Sequence, residues 1–315
     1  MCRATLIQLT GARVYNGREV KIMAEIYAYR VFTAVVENGS FTSAAQSLDI
    51  TPSAVSHTIS KLEKDIGFAL FIRSRGKLEL THNGRVLLPR IYDLIKLQDR
   101  IMQEKQEILG VSKGSVRIGA FNSVTMKWIP QIIRSYREKY PGIDVQVYEG
   151  KYSDVVSGVS SGMFDMGFVT TTQELNSEII ALYDDPLVCV TPKDFVPKNP
   201  GRVTVEEISE QTILMQAEGL ASDTEAFLAK NGIRTDYGIR VADDSSLTAM
   251  VASGFGISIM PMLLFKDEQV DVDLYEIDPP EYRTIGLLTA KEQFLSPAAK
   301  RMIEEIRNFA AGFEK

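Results

Sequence analysis

Apolar positions in the first third of this chain recur with helical spacing in short runs, each bounded by a residue suited to start or stop a helix. In residues 28–37 they fall at Val31, Phe32, Ala34 and Val35, and Asn38-Gly39 breaks the run. Ser40 is placed to cap a second short helix over 41–48, where Ala44 and Ala45 are small enough for another helix to cross closely. Thr51 then caps a third helix with Pro52 at its first position, where a missing N–H costs nothing. Val55, Ile59 and Leu62 give that helix an inward face, leaving Ser53, Ser56, His57, Ser60 and Lys61 outward. Strand patterns over 68–72 and 77–80 flank Arg73-Ser74-Arg75-Gly76 and predict a hairpin with a basic tip.

A longer period follows. Thr81 can cap one continuous helix over about 82–109, in which Leu87, Leu94, Ile101 and Ile108 form a seven-residue column. Leu88, Ile95, Met102 and Leu109 form the column beside it, with Ile91 between them. A stripe this wide cannot stay wet on a lone helix, so Leu87, Leu88, Ile91, Leu94, Ile95, Ile101 and Met102 are expected to pair two chains. Pro89 removes one backbone donor near the beginning of this helix, and residues 110–114 read as a hinge.

Beyond 115 the pattern alternates between strand and helix. Strands are expected at 116–119, 143–147 and 164–169, with helices at 124–139, broken at Pro130, and at 152–162. A second such unit spans about 192–261, with a strand at 211–216 and helices at 222–230 and 245–253; a strand at 284–289 and a helix at 296–309 close the chain. Alternation of this kind implies a mostly parallel α/β sheet. Ligands gather where its strands end and helices begin, the position of Ser123 and Thr125 after the first strand and of Thr170, Thr171 and Thr172 after the third.

Charge divides the chain the same way. Residues 24–110 carry 11 Lys and Arg against 10 Asp and Glu, whereas 111–315 carry 20 against 30. Within 71–90, Arg73, Arg75, Lys77, Arg85 and Arg90 face Glu79 alone, a place for a polyanion. Two cysteines, Cys2 and Cys189, and two histidines, His57 and His82, cannot build a cysteine- or histidine-rich metal site or a disulfide framework. Cys189 reads as a buried structural thiol. No run of eighteen apolar residues occurs, so no membrane span and a cytoplasmic location are expected.

The run FTAVVENGSFTSAAQSLDITPSAVSHTISKLEKDIGFALFIRSRGKLELTHNGRVLLP resembles, without a gap, the N-terminal winged helix-turn-helix of LysR-type transcriptional regulators. The resemblance implies that Thr51, Pro52, Ser53, Ser56, His57 and Lys61 lie at or near double-stranded DNA, with Arg73 and Arg75 in the wing. Many members carry arginine where this chain has His57. The later stretches GFGISIMP and LSPAAKRMIEEIRNF are similar to the effector-binding half of the same family. That half is an α/β domain of two Rossmann-like lobes resembling a periplasmic binding protein.

The implied organisation is a leader over 1–23 outside the fold, a winged helix-turn-helix over 24–81, a linker helix over 82–110 and an effector-binding domain over 114–315. Its first lobe takes about 114–190 and 264–315 and its second about 191–263, the chain crossing near Thr191 and returning after Pro261. A small-molecule effector, often an anion in such proteins, is expected between the lobes against Ser123, Thr125, Thr170, Met215, Gln216 and Ser245. The linker implies a homodimer, and the family a homotetramer that contacts RNA polymerase if it activates. No catalytic residue, metal or cofactor is expected: the lobes lack a nucleophile elbow, a phosphate loop and a histidine base. A solute-binding protein would explain the lobes but not the wing. Gly17 to Ile22 can be encoded by a purine-rich, ribosome-binding-like tract just ahead of Met23, so Met23 is the expected start.

Overall fold

A computed structural model describes residues 17–74, 77–108, 113–170, 179–217, 222–233 and 240–313. They fall into two compact units, the first ending at Ile95 and the second beginning at Lys96.

In the first unit three helices, α1 (Gly17–Asn38), α2 (Phe41–Ser47) and α3 (Pro52–Ile66), enclose an apolar core. Gly39, at φ +66°, ends α1 in a conformation that costs glycine little, and Ser40 Oγ accepts from Ser43 N at 3.0 Å to start α2. Thr51 Oγ1 accepts from Ala54 N at 3.2 Å to start α3, and Gly67 at φ +89° ends it. Val31, Phe32, Val35, Ala44, Val55 and Ile59 are fully buried, and Phe71 brings its ring to 5.3 Å from that of Phe32. Strands β1 (Phe71–Ser74) and β2 (Lys77–Leu80) form the expected hairpin, antiparallel, with Phe71 opposite Leu80 and Ser74 opposite Lys77. The first strand starts three residues later than the apolar run at Phe68 suggested, because Gly67 to Ala69 carry the chain away from α3. Residues 1–16 of the expected leader lie outside the described residues, and α1 already includes Gly17 to Ile22, six residues for which no helical period was expected.

Helix α4 (His82–Ile108) is capped by Thr81, whose Oγ1 accepts from Gly84 N at 2.9 Å, and it holds Pro89 inside. Gly84 is required there: a Cβ at that position would stand 2.4 Å from the Leu70 carbonyl oxygen.

The second unit is built on an eight-stranded sheet. Strand β3 (Gly114–Ala120) lies parallel to and between β4 (Ile143–Glu149) and β5 (Met166–Thr170). The rest is antiparallel or mixed, not the mostly parallel sheet that alternation implied. The long strand β6 (Ile179–Thr191) pairs antiparallel with β12 (Tyr282–Thr289) through its first half. Its second half pairs antiparallel with β10 (Ser258–Pro261) and β11 (Asp273–Asp278). One strand therefore serves both lobes. Its partners change at Pro186/Leu187 rather than at Thr191, and β11 still belongs to the second lobe, so the return lies between Asp278 and Tyr282 rather than after Pro261.

The second lobe also holds β7 (Arg202–Thr204), α8 (Val205–Ser209), the parallel pair β8 (Met215–Gln216) and β9 (Arg240–Val241), α9 (Ser222–Lys230) and α10 (Asp244–Ala252). In the first lobe the expected helix over 124–139 is two, α5 (Asn122–Lys127) and α6 (Ile129–Lys139). The break falls at Trp128 because Pro130 sits in the first turn of α6, where it is tolerated. Helix α7 (Tyr152–Ser161) follows β4, and α11 (Pro297–Phe313) closes the core around the fully buried Trp128 and Met302. Cys189 is buried in β6, and burial pushes its thiol up to about 12, as an inert structural cysteine requires.

Candidate functional site

Each unit carries one surface with chemistry to offer. In the first it is the outward face of α3. Thr51, Pro52, Ser53, His57 and Lys61 are exposed and Ser56 is half-buried, while Val55, Ile59 and Leu62 anchor the helix from beneath. Short hydroxyl-bearing side chains over a rigid helix let its backbone approach a polar groove. The side chain of Arg73 and the whole of Arg75 lie outside the described residues. Glu63, which the sequence reading passed over, holds the wing: its Oε1 accepts from Leu70 N at 2.7 Å and Phe71 N at 3.2 Å. Its partners are backbone groups around a turn, so no residue pattern marks it.

The apolar stripe of α4 divides. Ile91 and Ile95 are buried, and Leu87 and Leu88 half-buried, against the core of the first unit. Leu94, Ile101 and Met102 remain exposed, joined by Leu97 and by Ile108 at 86% exposure. Of the seven residues expected to pair two chains, two are thus buried on the core of their own unit and two more pack partly against it.

The second unit contains a cavity of about 310 Å³, lined from the first lobe by Phe121, Asn122, Ser123, Glu149 and Tyr152 and from the second by Met215, Gln216, Asp223 and Asp244. Of the six residues expected at an effector, Ser123, Met215 and Gln216 line it. The other three do not. Thr125 Oγ1 donates to the Phe121 carbonyl at 3.2 Å within its own helix, Thr170 is buried in β5, and Ser245 faces a separate surface hollow. Thr171 and Thr172 lie outside the described residues.

At the floor stands Arg283 of β12, 3% exposed. Its Nε and Nη2 donate to Asp185 Oδ2 at 2.9 and 2.7 Å, and Nη2 also donates to Ser123 Oγ at 2.7 Å. Nη1 donates to Tyr152 Oη at 2.9 Å and to Asp223 Oδ2 at 3.5 Å. A guanidinium has five N–H groups, and here all five are engaged. Asp185 Oδ1 accepts in turn from Leu263 N at 2.9 Å, and Tyr152 Oη donates to Asp223 Oδ2 at 2.6 Å. Burial opposes the Arg283 charge, but Tyr152, Asp185 and Asp223 outweigh it and hold the group protonated. Burial pushes the Asp185 carboxyl up while the guanidinium beside it pulls back, and burial likewise raises the Tyr152 hydroxyl. Asp244, which accepts from Gln216 Nε2 at 2.6 Å, is pushed up to about 6 by burial, with Arg283 pulling it down and Asp243 and Glu149 adding to the rise.

Sequence reading fixed no cation at this mouth and missed Arg283, Asp185, Asp223, Tyr152 and Asp244. A signal for two of them existed. Arg283 keeps strand period with the buried Ile285 and Leu287, and Asp185 with the buried Leu187 and Cys189. A charge on the inward face of two strands demands a buried partner.

Among the described residues no cluster of histidine, cysteine or carboxylate side chains could hold a metal ion, and no helix is long and apolar enough to cross a membrane.

Two family models match the chain: "Bacterial regulatory helix-turn-helix protein, lysR family" over residues 26–85, and "LysR substrate binding domain" over 110–311. The uncharacterised HTH-type transcriptional regulator YvbU of Bacillus subtilis is 27% identical over 279 residues, spanning 87% of this chain and 95% of that protein. The RuBisCO operon transcriptional regulator of Allochromatium vinosum is 27% identical over 294 residues, spanning 90% and 95%. Among solved structures, a full-length OxyR variant from Pseudomonas aeruginosa superposes with a TM-score of 0.72 at 18% identity, covering 90% of this chain and 94% of that one. Full-length CbnR complexed with its target DNA gives 0.61 at 19% identity, covering 90% and 99%.

Proposed function

The chain belongs to the LysR family of transcriptional regulators, with a helix-turn-helix DNA-binding domain followed by an effector-binding domain, and from that premise we propose how it works. Helix α3 reads promoter DNA in the major groove through Thr51, Pro52, Ser53, Ser56, His57 and Lys61, with Arg73 and Arg75 of the wing on the backbone. The exposed part of the α4 stripe, Leu94, Leu97, Ile101, Met102 and Ile108, pairs two chains, and two such dimers form a tetramer whose heads reach separated half-sites. A small-molecule effector settles in the cavity over Arg283, changes lobe closure, and so alters the bend of the bound DNA. The protein works in the cytoplasm, where its DNA is, touches RNA polymerase if it activates, and performs no catalysis.

The observation that carries this reading is the α3 face: a polar, exposed row rigidly held by Val55, Ile59 and Leu62 and capped at its start by Thr51. Footprinting of the DNA beside its gene with purified protein tests it. Two protected segments whose centres lie a multiple of about 10 base pairs apart are expected. A protein that stays monomeric and ignores every duplex at low ionic strength overturns it. The dimer is tested by Leu94→Glu with Ile101→Glu, which removes two aliphatic contacts from each protomer, about 2 kcal/mol each. Sedimentation should then find monomer at concentrations where the unaltered chain is paired.

A further inference from the structure

The effector cavity is lined by more negative than positive groups, and its one buried cation has nothing left to offer. Glu149, Asp154, Asp223, Asp243 and Asp244 line it against Lys151 and Arg283. An anion entering would look for free N–H donors, and those of Arg283 are all spent on Asp185, Asp223, Tyr152 and Ser123. Two of the helix beginnings that face the cavity, those of α10 and α7, are also spoken for by the chain's own carboxylates, while α5 begins there without a side-chain cap. Asp243 Oδ1 accepts from Ser246 N at 2.8 Å at the start of α10, and Asp154 Oδ2 accepts from Lys151 N at 3.3 Å at the start of α7.

A buried acid of the lining, however, lacks a donor. Asp223 is 7% exposed, and its Oδ1 is buried with no hydrogen-bond partner among the described residues; Asn122 Oδ1, also in the lining, is in the same state. A buried carboxylate oxygen left without a donor is costly, and a ligand N–H removes that cost. Among the described residues no group of side chains there can hold a metal ion, and an organic ammonium is a donor that also matches the acidic lining. A cavity of about 310 Å³ limits that molecule to a small one.

We propose that the effector is a small organic cation whose protonated amine sits against Asp223 Oδ1, with Glu149 and Asp244 supplying the surrounding negative field. The proposal rests on the reading of this cavity as the effector site and adds the charge of what enters it. Phe121, whose ring lies 5.0 Å from the Arg283 guanidinium and edge-on to Tyr152, provides an apolar wall for the carbon chain.

The test uses the full-length protein and three probes of matched length and different charge: putrescine, γ-aminobutyrate and succinate. Thermal unfolding with each at millimolar concentration is followed by calorimetric titration of those that stabilise. Putrescine or γ-aminobutyrate should raise the melting temperature and succinate should not. Asp223→Asn should weaken the amine by roughly tenfold or more, as loss of a charge-assisted bond does. That residue also pairs with Arg283, so a second variant guards the result: Glu149→Gln, at an exposed position, should fold normally and weaken the amine about threefold. Stabilisation by succinate alone overturns the cation and leaves the cavity as an effector site. No stabilisation by any probe, or amine binding indifferent to both substitutions, overturns the proposal outright. Promoter binding measured on the same samples reports separately on the regulator itself.

Discussion

The two units of this chain place their chemistry on opposite sides of their surfaces. The winged helix hides an apolar core and wears its polar row outside, so of the residues proposed to read DNA only Thr51, which caps α3, and Pro52 beside it at the helix's first position also serve the fold. The effector unit does the reverse: Arg283, Asp185 and Asp223, the groups that give its cavity character, are buried and are also the groups that bind one lobe to the other. Function and stability are separable in the first and joined in the second.

The largest effect expected from this contrast is on Arg283. Arg283→Met leaves Asp185 and Asp223 without their cation, and breaking a buried pair by removing one partner costs about 3–5 kcal/mol. Trp128, the chain's single tryptophan, lies in the first-lobe core, so its fluorescence during denaturant unfolding reports this unit. An unchanged midpoint would mean that the network is not what joins the lobes.

Ser56→Glu is the counterpart in the other unit. A carboxylate on the half-buried middle of the α3 face meets phosphates and base acceptors, and specific affinity should fall about a hundredfold, by band shift, at fixed salt. The far-ultraviolet circular dichroism melt should not move by more than a degree or two, because surface changes of this kind stay within about 0.5 kcal/mol. A variant that melts early and binds weakly would erase the distinction between the units.

That distinction also explains what could be read from the residues. In the winged helix the decisive signals are local: Ser40 and Thr51 cap helices three residues away, Gly39 and Gly67 stop them, and Val55, Ile59 and Leu62 keep a helical period. In the effector unit they are distant. Asp185 meets an arginine 98 residues further on, and Tyr152 meets Asp223 across 71. Alternation marks Arg283 as inward-facing, but no spacing says which carboxylates wait for it. The same distance hid β6, whose 13 residues change partners halfway, so alternation of strand and helix suggested two similar parallel units where one strand is shared. The α4 stripe was legible as apolar but not in how it divides, because a seven-residue column does not say which of its residues pack on the helix's own core and which stay exposed.

The smallest effect is the most specific to the cavity. Asp244 titrates near 6 because it is partly buried, with Asp243 on its own helix and Glu149 from β4 raising it and Arg283 from β12 lowering it, while Gln216 of β8 donates to it. Its ordinary value is 3.8, so the folded state disfavours the ionised form, and without ligand this group lowers stability as pH rises from 3.8 to about 6. A bound cation favours the ionised form and reverses the sign. Amine affinity should therefore be flat above about pH 7 and fall about tenfold by pH 5, one proton being taken up as the amine leaves. Asp244→Asn should flatten that profile and weaken binding at neutral pH to about the acid value of the unaltered protein. An anionic effector would give the opposite slope, tightening as the pH drops, so the direction of the profile alone distinguishes a cavity built for a cation from one that merely contains an arginine.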